Sequence, residues 1–175
     1  MASLTLAANQ TEIIGSRNAP AGGGFTEVAL GQQSRLVIDA VELVLNDMTL
    51  ARSGPRIVEL INGATLRLGA LAFASMGASI RYRIGAGCTL VLDANLSEPE
   101  LLSLTTIEFA SAGSGRLRYA PFVNPRWRQA PKVVGCVGAD ALEHLGGACL
   151  EIRDGRLVPA AAPQGLPSGR SPGAA

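Results

Sequence analysis

In INGATLRLG, residues 61–69, an apolar residue is followed by a turn built on Asn and Gly, then by apolar and polar residues in alternation. The same order recurs in IGAGCTLVLD and in SAGSGRLRYA. Such a stretch has little freedom. Alternation of period two means a strand, and the Asn/Gly turn between two alternating runs means a tight corner. A single strand–corner–strand unit cannot bury its apolar face alone, so several copies in one chain must stack on one another.

The copies are counted from the second apolar residue before each turn, which has an apolar partner eight positions on. Val58 leads to Leu66, Tyr82 to Leu90 and Phe109 to Leu117, and upstream Val28 leads to Leu36 and Leu6 to Ile14. Same-face residues follow two positions after each anchor: Ala8, Leu30, Leu60 and Ile84, with Ser111 the weak member. The anchors at 6, 28, 58, 82 and 109 are 22, 30, 24 and 27 residues apart. Left-handed hexapeptide helices repeat with short, even rungs, whereas rungs of variable length fit a coil with protruding loops. The expected fold is all-β, a right-handed parallel β-helix (β-solenoid) of about five rungs over residues 1–119 with a C-terminal capping segment. In this register Glu59 stands beside Arg83, and Arg81 beside Glu108, about 4.8 Å apart across neighbouring rungs. Opposite charges fall together, and a one-residue slip would bury them.

The longest rung contains DAVELVLNDMTLARSGP, where Val41, Leu43 and Leu45 alternate as a further strand. In NLSEPELLSL, Ser97 and Glu100 form a capping box, with Pro99 in the first turn, which predicts a short helix over 98–103. Asn9, Gln10, Thr11 and Glu12 make the first rung polar, as a cap or as a docking surface. After Tyr119 the pattern changes. Residues 120–158 read as a proline-rich connector and a cap made of a strand, a short helix N-capped by Asp140 and stopped at Gly146, and a hairpin. Asp154-Gly155 is a type I′ signal that pairs Ile152 with Leu157. Residues 159–175 are a Pro/Gly/Ala tail too poor in apolar side chains to pack, and read as disordered.

Composition narrows the function classes. A net charge of +1 gives no general electrostatic drive toward nucleic acid or an anionic membrane. No stretch reaches the roughly 18 apolar residues of a membrane span, and the N-terminus has no basic n-region or continuous apolar h-region. The chain therefore reads as soluble, without membrane insertion and without a Sec signal. The three cysteines, Cys88, Cys136 and Cys149, match neither a disulfide framework nor a zinc pattern. Cys88 sits in a repeat and is expected to be buried, while Cys136 and Cys149 could pair or stay free.

The search for chemistry yields little. His144, the only histidine, has Glu143 beside it but no serine or aspartate marked as a triad partner. Asp93, Asn95, Glu98 and Glu100 could supply oxygen ligands to calcium, although the capping box already occupies Glu100. The outward charges Glu27, Glu59, Arg67, Arg81, Arg83, Glu108, Arg116 and Arg118 are mixed in sign, with no two carboxylates aimed at one point. No catalytic residue, cofactor or metal site is expected. The best contact candidate is RWRQAPK, where Arg126, Trp127, Arg128 and Lys132 have the composition of an interface hot spot. The alternative is that Trp127 packs on the solenoid end and the arginines are solvated.

The two-strand rung with its Asn/Gly turn resembles the right-handed β-helix domains of phage tailspikes, head or tail fibres, and bacterial adhesins. The resemblance covers residues 2–119, is architectural, and carries no functional residues over. It implies a stiff rod in a virion or surface appendage that presents loops to a partner or surface glycan, as a homo-oligomer, with a trimer as one form, or docked on a larger assembly. A second resemblance, to bactofilins, rests on the Pro-rich tail and the missing signal peptide, and implies a cytoplasmic, self-polymerising scaffold. A third possibility is a polysaccharide-active β-helix enzyme.

Overall fold

The computed structural model describes residues 2–50, 52–73, 77–92, 104–110, 114–119, 131–144 and 150–159. Among these residues, fifteen strands form two sheets. The first sheet runs β1 (Ser3–Leu6), β3 (Gly24–Leu30), β5 (Glu42–Leu50), β7 (Thr65–Phe73), β9 (Thr89–Leu92), β11 (Arg116–Tyr119) and β13 (Leu142–His144), every neighbour parallel. The second runs β2 (Thr11–Ile14), β4 (Arg35–Asp39), β6 (Gly54–Ile61), β8 (Ala78–Ile84), β10 (Thr105–Phe109) and β12 (Lys132–Gly135), also parallel. An antiparallel hairpin of β14 (Leu150–Arg153) and β15 (Arg156–Pro159) joins its far edge. Because the chain alternates between the sheets, each strand stacks on one about a rung earlier. The fold is a parallel β-solenoid.

Among the described residues, one hydrogen-bonded corner recurs at four of the repeat positions and accounts for the sequence repeated at 61–64 and 85–88. The amide of its fourth residue donates to the carbonyl of its first: Gln10 to Ala7 at 3.2 Å, Ser34 to Gly31 at 3.2 Å, Ala64 to Ile61 at 3.1 Å and Cys88 to Gly85 at 3.2 Å. The third residue takes a positive φ, at Asn9 (60°), Gln33 (56°), Gly63 (77°) and Gly87 (68°). Asn and Gly tolerate that conformation best, hence the Asn/Gly signature. Stacking is close at these corners. A Cβ on Gly31 would stand 2.6 Å from the Ala7 carbonyl carbon and the Ala8 nitrogen of the previous rung, so only glycine fits.

The first two corners lead from the first sheet to the second, and the next two lead back. The switch comes from β5. Read from sequence, its residues are an extra strand inside a long rung; in the structure they form a full member of the first sheet. Val28 therefore pairs with Met48 rather than with Val58, and Leu36 pairs with Val58. A smaller correction applies at β10. Ile107 lies over Tyr82 and Phe109 over Ile84, two residues from the expected register. Such a slip keeps every side chain on its own face, so the apolar pattern cannot detect it.

Inward columns make the core. Leu43, Leu66, Leu90 and Leu117 stack in register on one side, and Leu36, Val58, Tyr82 and Ile107 on the other, all buried. Each leucine removed from water contributes roughly 1.5–3 kcal/mol. In β3 and β5 of the first sheet the alternation breaks at a shared place. Asn46 and Asp47 are both exposed between buried Leu45 and Met48, and beside them in β3 half-buried Thr26 and exposed Glu27 stand between buried Phe25 and Val28. Two consecutive outward residues turn the strand, so β3 and β5 each cover two flat faces.

Past Tyr119 the ladders continue, with β12 on β10 and β13 on β11. The hairpin forms as expected, with Ile152 opposite Leu157 and positive φ at both Asp154 (51°) and Gly155 (68°). The helix expected from Asp140 to Gly146 is corrected: residues 142–144 are strand β13. The expected helix over 98–103 and residues 160–175 lie outside the described residues.

Candidate contact surfaces

Three of the four proposed contact residues, Arg126, Trp127 and Arg128, lie outside the described residues. Lys132 opens β12, is exposed, and stands in register with Thr106 and Arg156. His144 closes β13 in register with Tyr119, on a strand rather than a helix. Cys88 is buried as expected, and Cys136 is an exposed free thiol, so it forms no disulfide in this structure. Cys149 and the oxygen-rich stretch with Asp93, Asn95, Glu98 and Glu100 lie outside the described residues. Among the described residues, no three His, Cys, Asp or Glu side chains gather as metal ligands, and no helix is long and apolar enough to cross a membrane.

The outer face of the second sheet carries a continuous charge ladder. Glu59 pairs with Arg35 on one side and with Arg83 at 3.2 Å on the other. Glu108 pairs with Arg83 at 3.4 Å and with Arg81 at 2.9 Å. Both pairs read from the sequence are present, although Arg81 reaches Glu108 diagonally because Arg83 is its register partner. Glu59 serves two arginines and is the more buried partner, so it is the residue to remove. Glu59→Gln is expected to cost about 1 kcal/mol at low salt and less in molar salt, checked by urea unfolding at two ionic strengths.

A second surface escaped the sequence reading. Glu27 and Asp47 are register partners on β3 and β5, both exposed, with no ion-pair partner among the described residues. They line a shallow groove of about 330 Å³ with Ser3, Thr5, Ala29 and Thr49. The signal was available. Giving residues 42–50 a rung of their own brings 27 and 47 side by side, whereas treating them as an insertion separates the pair. On the opposite corner, Ile13, at 55 % exposure, borders an open pocket of about 500 Å³ with Arg17, Asn18 and Asp39.

Inside the solenoid, among the described residues, the hydroxyls of Tyr82 and Thr105 are buried without a hydrogen-bond partner. Burial holds the Tyr82 phenol well above its ordinary pKa, so it stays neutral. The guanidinium of Arg56 is buried as well, and its pKa is lowered by desolvation. Its Nε donates to the Leu30 carbonyl at 3.1 Å and its Nη1 to the Gly54 carbonyl at 2.6 Å. The bond to Leu30 ties consecutive rungs together at a corner, and the bond to Gly54 stays within β6.

The chain matches no family model, and no curated protein or solved structure is significantly similar to it.

Proposed function

We propose that the chain is a non-enzymatic structural module, a finite stiff rod that serves as a virion or surface-appendage component and docks on a larger assembly or forms a closed homo-oligomer. The observation that carries this reading is the hairpin at the edge of the second sheet. Among the described residues, two parallel sheets share one continuous core, yet an antiparallel hairpin, and not another parallel strand, lies beyond β12 in the second sheet. A rod built for unlimited end-to-end growth needs both ends to continue the same ladder. The outer ion ladder supports the same reading, since its charges are spent on one another. One observation favours an enzyme instead: Glu27 and Asp47 side by side in a groove have the residue types of a glycosidase pair.

Negative-stain electron microscopy with light scattering tests the proposal. A monomer or a discrete oligomer is expected. Long filaments without nucleotide would replace it with the polymerising scaffold. Depolymerisation of a neutral or acidic glycan, lost in Glu27→Gln, would replace it with the enzyme.

A further inference from the structure

The first rung is where an edge-to-edge contact should form, because among the described residues β1 and β2 each have a strand on one side only. Such an edge is a template for another chain unless the sequence defends it. The hydrogen bonds identify which groups are open. Thr26 N donates to Ala2 O at 2.9 Å and Gly31 N to Leu6 O at 2.8 Å, so the even-numbered residues of β1 bond inward, toward β3. Ser3, Thr5 and Ala7 then present their backbone to the open side. On β2, Arg35 N donates to Gln10 O at 2.9 Å, which leaves Thr11 and Ile13 facing the open side.

Two side-chain amides occupy the ends of these edges. Gln10 Oε1 accepts from Ala7 N at 2.8 Å, and Gln10 N donates to Ala7 O at 3.2 Å. Asn18 Nδ2 donates to Ile13 O at 2.7 Å, and Asn18 Oδ1 accepts from Gly15 N at 2.8 Å. A separate observation concerns the interior. Glu12 is in register with Leu36, so it heads the inward column that continues through Leu36, Val58, Tyr82, Ile107 and Val133. The first rung places a half-buried carboxylate where every later rung places an apolar side chain. A strand laid over it would bury that charge, which is costly without a cation to meet it.

We propose that Gln10, Asn18 and Glu12 form an autoinhibitory cap, and that the contact they suppress is a second copy of this chain joining first rung to first rung about a two-fold axis. The occupant follows from the edge itself. Half-buried Leu4 and exposed Ile13 would bring apolar area to such a joint, and a two-fold joint closes after two copies. The inference goes beyond the structural-module reading, since it holds whichever assembly the rod serves.

The test compares the parent chain with Gln10→Ala/Glu12→Leu/Asn18→Ala. The triple variant should double the parent's mass by light scattering at micromolar concentration, with new hydrogen-exchange protection at Thr5 and Ile13. Adding Thr5→Pro and Ile13→Pro should return the mass to the parent's value, because those amides face the open side and bond neither β3 nor β4. An unchanged mass in the triple variant overturns the proposal. So does association that survives the prolines, which would mark misfolding or another surface, and so does protection of Thr5 and Ile13 already present in the parent.

Discussion

Leu66→Asp should leave the chain unfolded or nearly so, while Arg67→Asp, one residue away, should leave it folded. Leu66 is fully buried and sits between Leu43 and Leu90 in the inward column of the first sheet, and Arg67 is exposed on the opposite side of the same strand. The aspartate loses the leucine's transfer free energy and places a carboxylate in a column whose neighbours above and below are apolar. Losing the burial costs roughly 1.5–3 kcal/mol, and an unpaired buried charge adds several more. That total approaches the 5–15 kcal/mol by which domains of this kind are stable. The exposed substitution should stay within about 1 kcal/mol. Chemical denaturation followed by circular dichroism measures both. Similar losses would mean that the strand does not present Leu66 inward, and the register of both sheets would fall with it.

That contrast depends on alternation, the part of the fold most legible in the sequence. Period two fixes which face a residue takes, so the inward leucines, the outward arginines and the Glu59–Arg83 pair could all be read directly. The corner could be read as well, because positive φ at Asn9, Gly63 and Gly87 demands the residues found there. What alternation cannot fix is which strand lies beside which. A shift of a whole strand at β5, or of two residues at β10, leaves every face unchanged, and the acidic groove of Glu27 and Asp47 was lost through the first of these. The C-terminal segment failed for another reason. Asp140 and Gly146 suit a short helix in isolation, but β11 offers an unsatisfied edge, and Leu142–His144 takes it. Local preference lost to a backbone partner already in place. The cap at the first rung was legible in part, since its polar residues stood out, but the bonds from Gln10 and Asn18 to strand ends needed the structure.

Arg56 is the position where a second large effect is expected and where two opposing terms nearly cancel. Alternation from Val58 places it inward, and it is 1 % exposed, in register with Ile80. Its Nη2 has no hydrogen-bond partner, and no carboxylate pairs with it among the described residues. Burying a guanidinium costs several kcal/mol, and each charge-assisted bond to a carbonyl returns about 1.5–3 kcal/mol. With two such bonds, the net contribution of the charge is close to zero. The stem is different, because its methylenes fill core volume that nothing else occupies. Arg56→Ala should therefore cost about 3 kcal/mol, mostly as a cavity. Arg56→Met keeps the stem and removes the charge, and should stay within about 1 kcal/mol of the parent. Arg56→Lys should resemble the alanine variant, since a single ammonium cannot reach the Leu30 and Gly54 carbonyls in the fixed fork of a guanidinium. Urea unfolding of the three variants measures the order. If methionine is as damaging as alanine, the two carbonyl bonds outweigh the burial of the charge, and Arg56 is a net tie between rungs rather than a filler of the corner.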